Sequence, residues 1–166
     1  VRKGKIEREP HNLGTGWIGY DFEAAFKCPV RIVNDAAMQA LGGYDKGTML
    51  FLGLGTGLGS ALIVDDMIVP LELAHLPYLD GRSYEEHLGQ DSRKRLGNSR
   101  WRTAVWEVVE ALRKAFLPDE VLIGGGNVNN LKKLPPQTRR GDNADAFAGG
   151  FRLWPKRKAA SKKRPK

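Results

Sequence analysis

Apolar positions along the chain fall first at helical and then at strand spacing, and this alternation predicts the class. Residues 1–16 are polar and glycine-containing and read as an entering strand or loop. Tyr20, Phe22, Ala25 and Phe26 recur at helical spacing, predicting a short amphipathic helix that ends before Pro29. Val30–Val33 is a β-branched run read as a short strand, and Asn34-Asp35 sits where it gives way to a helix over Ala36–Leu41. Gly42-Gly43 supplies the stop. Thr48–Leu54 is an apolar strand, followed by a glycine turn over 53–59 and a second strand over Ser60–Val64. Asp65-Asp66 then turns the chain into a third strand at Met67–Val69. Residues 71–90 are mixed in character, and Glu86 and His87 within them read as surface positions.

The longest helix is predicted over Trp101–Phe116, where Trp101, Val105, Val108, Val109, Leu112 and Phe116 form one stripe. Val121–Ile123 is a short buried strand, and Gly124-Gly125-Gly126-Asn127 turns into a helix through Leu131 that Pro135-Pro136 breaks. Residues 142–154 begin polar and become small (Ala144, Ala146, Ala148, Gly149, Gly150), the pattern of a terminal helix packed closely on its neighbours. Helices and strands alternate, so the class is α/β.

Composition changes this picture little. Apolar residues make up 41% and charged residues 28% of 166, as in an ordinary globular domain. No apolar run is long enough to span a bilayer, and no apolar stretch follows the basic N-terminus, so neither a membrane nor a secretory role is expected. The single cysteine, Cys28, excludes an internal disulfide and a cysteine-built metal site, and a cytoplasmic setting is the expectation. The net charge of +8 is concentrated at one end, where residues 155–166 carry seven Lys or Arg and no acid, leaving the body near +1. That low-complexity tail reads as a solvated, disordered segment, or as a loose and non-specific tether for polyanions.

Four constellations carry candidate chemistry. Asp35 stands at the end of a predicted strand, where an α/β fold presents a general base, and where an aspartate also serves as a helix N-cap. Gly53, Gly55, Gly57 and Gly59, with Thr56 and Ser60, leave backbone amides open between two strands, a concavity suited to phosphate oxygens. The turn is neither a Walker loop nor a dinucleotide fingerprint, since it lacks Gly-Lys-Thr and leads to a strand. Glu72, His75 and Glu85 are polar groups able to hold sugar hydroxyls, or to lie as ordinary loop residues. Gly124, Gly125 and Gly126 allow close approach of a flat ligand or phosphate, or serve a tight turn only. Trp17, Trp101, Trp106 and Trp154 read as packing residues.

In their order these pieces resemble the ROK family of sugar kinases, and within it the polyphosphate and ATP glucokinases. The matching stretches are EPHNLGTGW (9–17), PVRIVNDAAMQALGG (29–43), LFLGLGTGLGSALIVDDMIVP (50–70), LELAHLPY (71–78), VLIGGGNV (121–128) and DNADAFAGGFRLW (142–154). The resemblance implies an actin-like ATPase (ribonuclease H-like) fold. It would comprise a remnant of the N-terminal lobe over 1–34 and a C-terminal sugar- and phosphate-binding lobe over 35–154. It implies transfer of a phosphoryl group from ATP or polyphosphate, with Mg²⁺, to the 6-hydroxyl of glucose or a related hexose. Asp35 would be the catalytic base. Asn12, Asn34, Glu72, His75 and Glu85 would bind the sugar, Gly55-Thr56-Gly57 would be a phosphate loop, and Gly124–Gly126 the nucleotide-side loop. A homodimer is compatible with this family.

The pattern departs from the family in three places. Ala74 replaces the usual glycine before His75. A cysteine-rich zinc element is absent, so no zinc is expected. The Asp-x-Gly-Gly-Thr phosphate loop of the N-terminal lobe has no counterpart, as in a fragment or a gene whose start was set too late. Without it the chain alone is expected to turn over negligibly, because transition-state contacts are lost. The alternative is the sugar-binding half of a ROK-type transcriptional repressor.

Overall fold

The computed structural model describes residues 1, 4–9 and 14–154. The tail over 155–166 and the position of Asn12 lie outside the described residues. Five strands form one mixed sheet in the order β3-β2-β1-β4-β5. These are β1 (Thr48–Leu54), β2 (Leu58–Val64), β3 (Met67–Leu71), β4 (Glu120–Gly124) and β5 (Thr138–Arg140). β1, β2 and β3 make an antiparallel meander, while β4 joins β1 in parallel and β5 joins β4 in parallel. Asp65 and Asp66 both take positive φ, 46° and 68°, the left-handed pair that closes a two-residue hairpin.

Alternation along β1 divides the core into two layers. Leu50, Leu52 and Leu54 face one side with Val121 and Ile123, against the stripe of helix α4 (Gln90–Phe116). Met49 and Phe51 face the other with Ala61, Ile63 and Leu122, against helix α2 (Asp35–Gly43). Both sheet faces are therefore covered, as a parallel pairing at the centre requires. Helix α1 (Phe22–Phe26) lies before this sandwich, capped by the Asp21 side chain on Ala24.

The α4 stripe is buried at Trp101, Val105, Val108, Val109 and Leu112, as its spacing predicts. Trp101 is fully enclosed and its indole N–H donates to the Leu88 carbonyl at 2.9 Å. The helical stretch itself runs over Gln90–Phe116 and is broken at Gly97, whose φ of +76° no helix interior adopts.

The small residues of α5 (Asp145–Arg152) do pack as read from the sequence. A Cβ on Gly42 would stand 1.7 Å from the Asp145 carbonyl oxygen, and one on Gly149 would stand 1.8 Å from that of Met38. Helices α2 and α5 thus touch backbone to backbone, which only glycine permits.

Two readings need correction, and two details were not anticipated. Val30–Val33 pairs with no strand among the described residues, and the Val30 amide donates instead to Glu23 Oε1 at 3.1 Å. β-Branched residues favour extended backbone, but a strand exists only where a neighbour completes the ladder. The helix read after Gly125 is present as a short 3-10 helix over Gly126–Asn130. β5 was not anticipated, because Thr-Arg-Arg carries no apolar signal, and its pairing depends on the neighbouring β4 backbone. His87 is buried on α3 (Tyr84–Leu88), with Nε2 bonded to the Leu79 carbonyl at 3.1 Å and its ring edge-on to Tyr78. Glu86 beside it is exposed, as expected, and completes a capping box with Ser83. Among the described residues no helix is long and apolar enough to cross a membrane.

Candidate active site

Three glycines lie side by side across the sheet, Gly59 opposite Gly53 and Gly53 opposite Gly124. Their missing side chains leave room for the Phe51 ring, which a Cβ on Gly53 or Gly124 would meet at 3.1 and 2.8 Å, and for Ala36, which one on Gly59 would meet at 2.9 Å. The row therefore lets the first turn of α2 and an aromatic floor approach the backbone where β1 and β4 end. This is the end of the sheet where open α/β folds bind ligands.

A cleft of about 400 Å³ opens there, lined among others by Asp35, Phe51, Gly55, Thr56, Gly57 and Gly125, with Glu85 at its edge. The cap of the helix is Asn34, which precedes the lining residue Asp35 and does not itself line the cleft: Asn34 Oδ1 accepts from the amides of Ala36 and Ala37 at 2.7 and 3.3 Å. Asp35 is exposed, and among the described residues its Oδ1 accepts only from its neighbour Ala36, at 2.8 Å. The capping duty that competes with a catalytic reading of Asp35 is thus carried by the preceding residue.

The glycine loop between β1 and β2 is three residues long, Gly55-Thr56-Gly57, closed by the Gly55 amide on the Gly57 carbonyl at 3.1 Å. Among the described residues the amides of Thr56 and Gly57 meet no protein acceptor. The loop is braced from two sides. Gln90 donates its amide to the Thr56 carbonyl at 3.1 Å, and Glu85 Oε2 accepts from the Leu58 amide at 3.3 Å. Gly57 must lack a side chain, because a Cβ would lie 2.2 Å from that carboxylate oxygen. Gly125, with φ of +80°, tucks against the Leu54 carbonyl at a distance that excludes any Cβ.

The structure brings Asp35, Gly55, Thr56, Gly57, Glu85 and Gly125 to one cleft. Gly124 is buried beneath it on β4, while Gly126 is exposed at the start of the 3-10 turn. Glu72 and His75 do not line the cleft. Glu72 precedes and His75 ends a separate 3-10 turn, Leu73–His75, and both are exposed. The Ser60 hydroxyl, a candidate hydrogen-bond donor to phosphate, is committed elsewhere: it is buried, donates to the Leu71 carbonyl and accepts from the Leu73 amide, each at 3.1 Å. That bond ties the Glu72–His75 turn to β2. Ala74, at the family's glycine position, is buried in the core, where its methyl finds room.

Two residues of the site had no sequence reading. Asn127 Nδ2 donates to the Gly55 carbonyl at 2.9 Å, joining the two glycine segments. Gln39 lines the cleft one helical turn after Asp35, and its Oε1 is buried without a partner among the described residues. Its i+4 spacing from Asp35 was a usable signal.

No protein-family model matches the chain. The chain is 29% identical to the polyphosphate glucokinase of Mycobacterium leprae over 136 residues, 73% of this chain and 42% of that protein. It superposes on the inorganic polyphosphate/ATP-glucomannokinase of Arthrobacter sp. strain KM with a TM-score of 0.74 and 26% identity, covering 90% of this chain and 67% of that one. Its homologues are polyphosphate glucokinases and ROK-family sugar kinases. A ROK family glucokinase from Streptomyces griseus, solved with glucose and AMPPNP, shares the fold at 15% identity and a TM-score of 0.61, over 79% of this chain and 70% of that one. So does a ROK family transcriptional regulator homologous to the Escherichia coli MLC protein, at 14% identity and a TM-score of 0.58, over 79% and 53%. The sheet is thus part of the actin-like ATPase fold of the ROK sugar kinases. The chain spans about half the length of the curated relatives it matches.

Proposed function

We propose that this chain carries the catalytic base and one phosphate loop of a glucokinase-type sugar kinase, using ATP or inorganic polyphosphate. The observation that carries the reading is the single cleft in which the Asp35 carboxylate, released from capping by Asn34, lies with the Gly55–Gly57 loop. A sugar 6-hydroxyl beside Asp35 gives up its proton to the carboxylate as its oxygen attacks the terminal phosphorus of the donor. The bridging P–O bond breaks, and ADP or a shortened polyphosphate leaves. The free amides of Thr56 and Gly57 are placed to hold donor oxygens, so that positioning and charge stabilisation do most of the catalysis.

Mg²⁺ enters this reading with the donor, whose phosphate charge it neutralises. It keeps several waters and takes one or two carboxylates beside phosphate oxygens. Asp35 and Glu85 are the carboxylates lining the cleft, and among the described residues no group of three metal-ligating side chains occurs. That donor set fits a metal carried in on phosphate. Asn34 keeps its side-chain NH₂ available for a sugar hydroxyl, and Glu85 reaches the cleft edge, whereas Glu72 and His75 would act on a ligand that extends toward their own turn.

The repressor alternative shares the fold but has no use for a carboxylate set beside a phosphate loop. The test is binding of glucose and of each donor to the chain by calorimetry, with glucose 6-phosphate formation assayed in Mg²⁺. Asp35→Asn should retain glucose binding and lower any turnover by about 10²–10⁴-fold. Binding of glucose without either donor would favour the sensor, and binding of neither would refute the site.

A further inference from the structure

A second cleft, of about 610 Å³, adjoins the glycine loop and shares Thr56, Gly57 and Glu85 with the first. The guanidiniums of Arg82 and Arg95 line it. Among the described residues neither forms a salt bridge. Arg95 Nη2 reaches only the Glu86 carbonyl and the Ser92 hydroxyl, both at 3.4 Å. The three carboxylates of this cleft each have a partner. Glu85 accepts from the Leu58 amide, Glu86 takes both the amide and the hydroxyl of Ser83, and Asp91 pairs with Lys94 at 3.4 Å.

The Ser83 bonds hold the Glu86 carboxyl below its ordinary range, with Arg82 adding to the effect. Glu86 therefore stays a fixed partner of its own cap. Of the six Lys or Arg between residues 82 and 102, Arg82 and Arg95 line the cleft, together with the three carboxylates. None of the lining residues is aromatic or aliphatic, so the cleft offers charge and hydrogen bonds but no face for a nucleobase.

We infer that Arg82 and Arg95 form a subsite for the part of a linear inorganic polyphosphate that extends beyond the phosphates seated at Gly55–Gly57. This rests on the phosphotransferase reading above and deepens it, making these two arginines determinants of donor chain length. A planar guanidinium fits phosphate oxygens in bidentate fashion, and two of them in one cleft beside the loop favour a chain that continues past it.

The test compares long-chain polyphosphate with tripolyphosphate, by calorimetry on the full chain, in wild type and in Arg82→Gln/Arg95→Gln. A Lys27→Gln/Lys46→Gln control removes the same charge outside the cleft, and so accounts for general attraction, including that of the basic tail. The inference expects the ratio of long-chain to tripolyphosphate affinity to fall at least tenfold in the arginine variant and less than twofold in the control. An equal loss for both polyphosphates, or a ratio that moves no more than in the control, overturns it while leaving the kinase reading intact. Failure of wild type to bind either polyphosphate, with ATP still bound, overturns it too. Failure to bind any donor removes the donor site and the kinase reading together.

Discussion

The side-chain amide of Asn127 donates to the carbonyl oxygen of Gly55 across 2.9 Å, 72 residues away in sequence, and so locks the glycine loop to the turn that follows β4. Asn127 is buried, and Asn130 braces it through its carbonyl at 3.3 Å. Asn127→Ala would leave the Gly55 carbonyl without its protein donor and empty a buried position, a loss of about 1–3 kcal/mol. Urea unfolding checks the stability. Calorimetry should show donor affinity falling more than glucose affinity, because the loop moves and Asp35 does not. Equal losses would mean the bond serves folding alone.

Asn34 and Asp35 separate by role. Asn34→Ala removes the cap of α2 and should cost about 1 kcal/mol. Asp35→Asn keeps an acceptor for Ala36 and should change stability by no more than about 0.5–1 kcal/mol, the loss of a carboxylate in a first helical turn. Paired urea curves test this. If Asp35→Asn were the more damaging of the two, Asp35 would be a structural residue and its catalytic role would lose its support.

Periodicity made the scaffold legible where a residue's place is decided by its own burial. The strands around the glycine turn, the Asp65-Asp66 hairpin and the Trp101 stripe all follow from local pattern. It failed where a partner distant in sequence decides. Val30–Val33 is β-branched and unpaired, while Thr138–Arg140 is polar and paired with β4. His87 reads as a surface residue, yet Tyr78 and the Leu79 carbonyl enclose it. Asp35, Thr56 and Glu85, singled out by residue type, do line one cleft. Asn127 was not legible, since one side-chain bond across the fold gives no periodic signal. The Ser60 hydroxyl, a candidate donor by residue type, is taken by Leu71 and Leu73.

The contact between α2 and α5 tolerates no added atom. Gly149→Ala would drive a methyl into the Met38 carbonyl, which belongs to the helix that starts with Asp35. Overpacking of this kind costs about 1–3 kcal/mol, and here the strain bears on backbone and not on a movable side chain. Gly150→Ala is the control, because its Cβ would sit 3.5 Å from Met38 Sδ, an ordinary contact. Thermal melts should show Gly149→Ala clearly destabilised and Gly150→Ala close to wild type. Similar melting points for the two would refute the backbone contact.

Alkaline titration reports on the element that holds Glu85. Tyr78 packs edge-on against His87 of α3 and donates its hydroxyl to Glu107 Oε2 at 2.7 Å, bridging to α4. Burial, and then the bond to Glu107, push its phenol from 10.0 up to about 12. The folded protein therefore keeps the proton that the unfolded chain releases first. The stabilisation is whole below about pH 10 and drains away as pH rises toward about 12. Tyrosinate absorbance should show one phenol titrating late in the native protein. Urea midpoints should fall between these pH values in wild type more steeply than in Tyr78→Phe, which lacks the titrating group. Parallel pH profiles for the two proteins would show that Tyr78 is not held by Glu107, and that the α3–α4 bridge supporting Glu85 depends on packing alone.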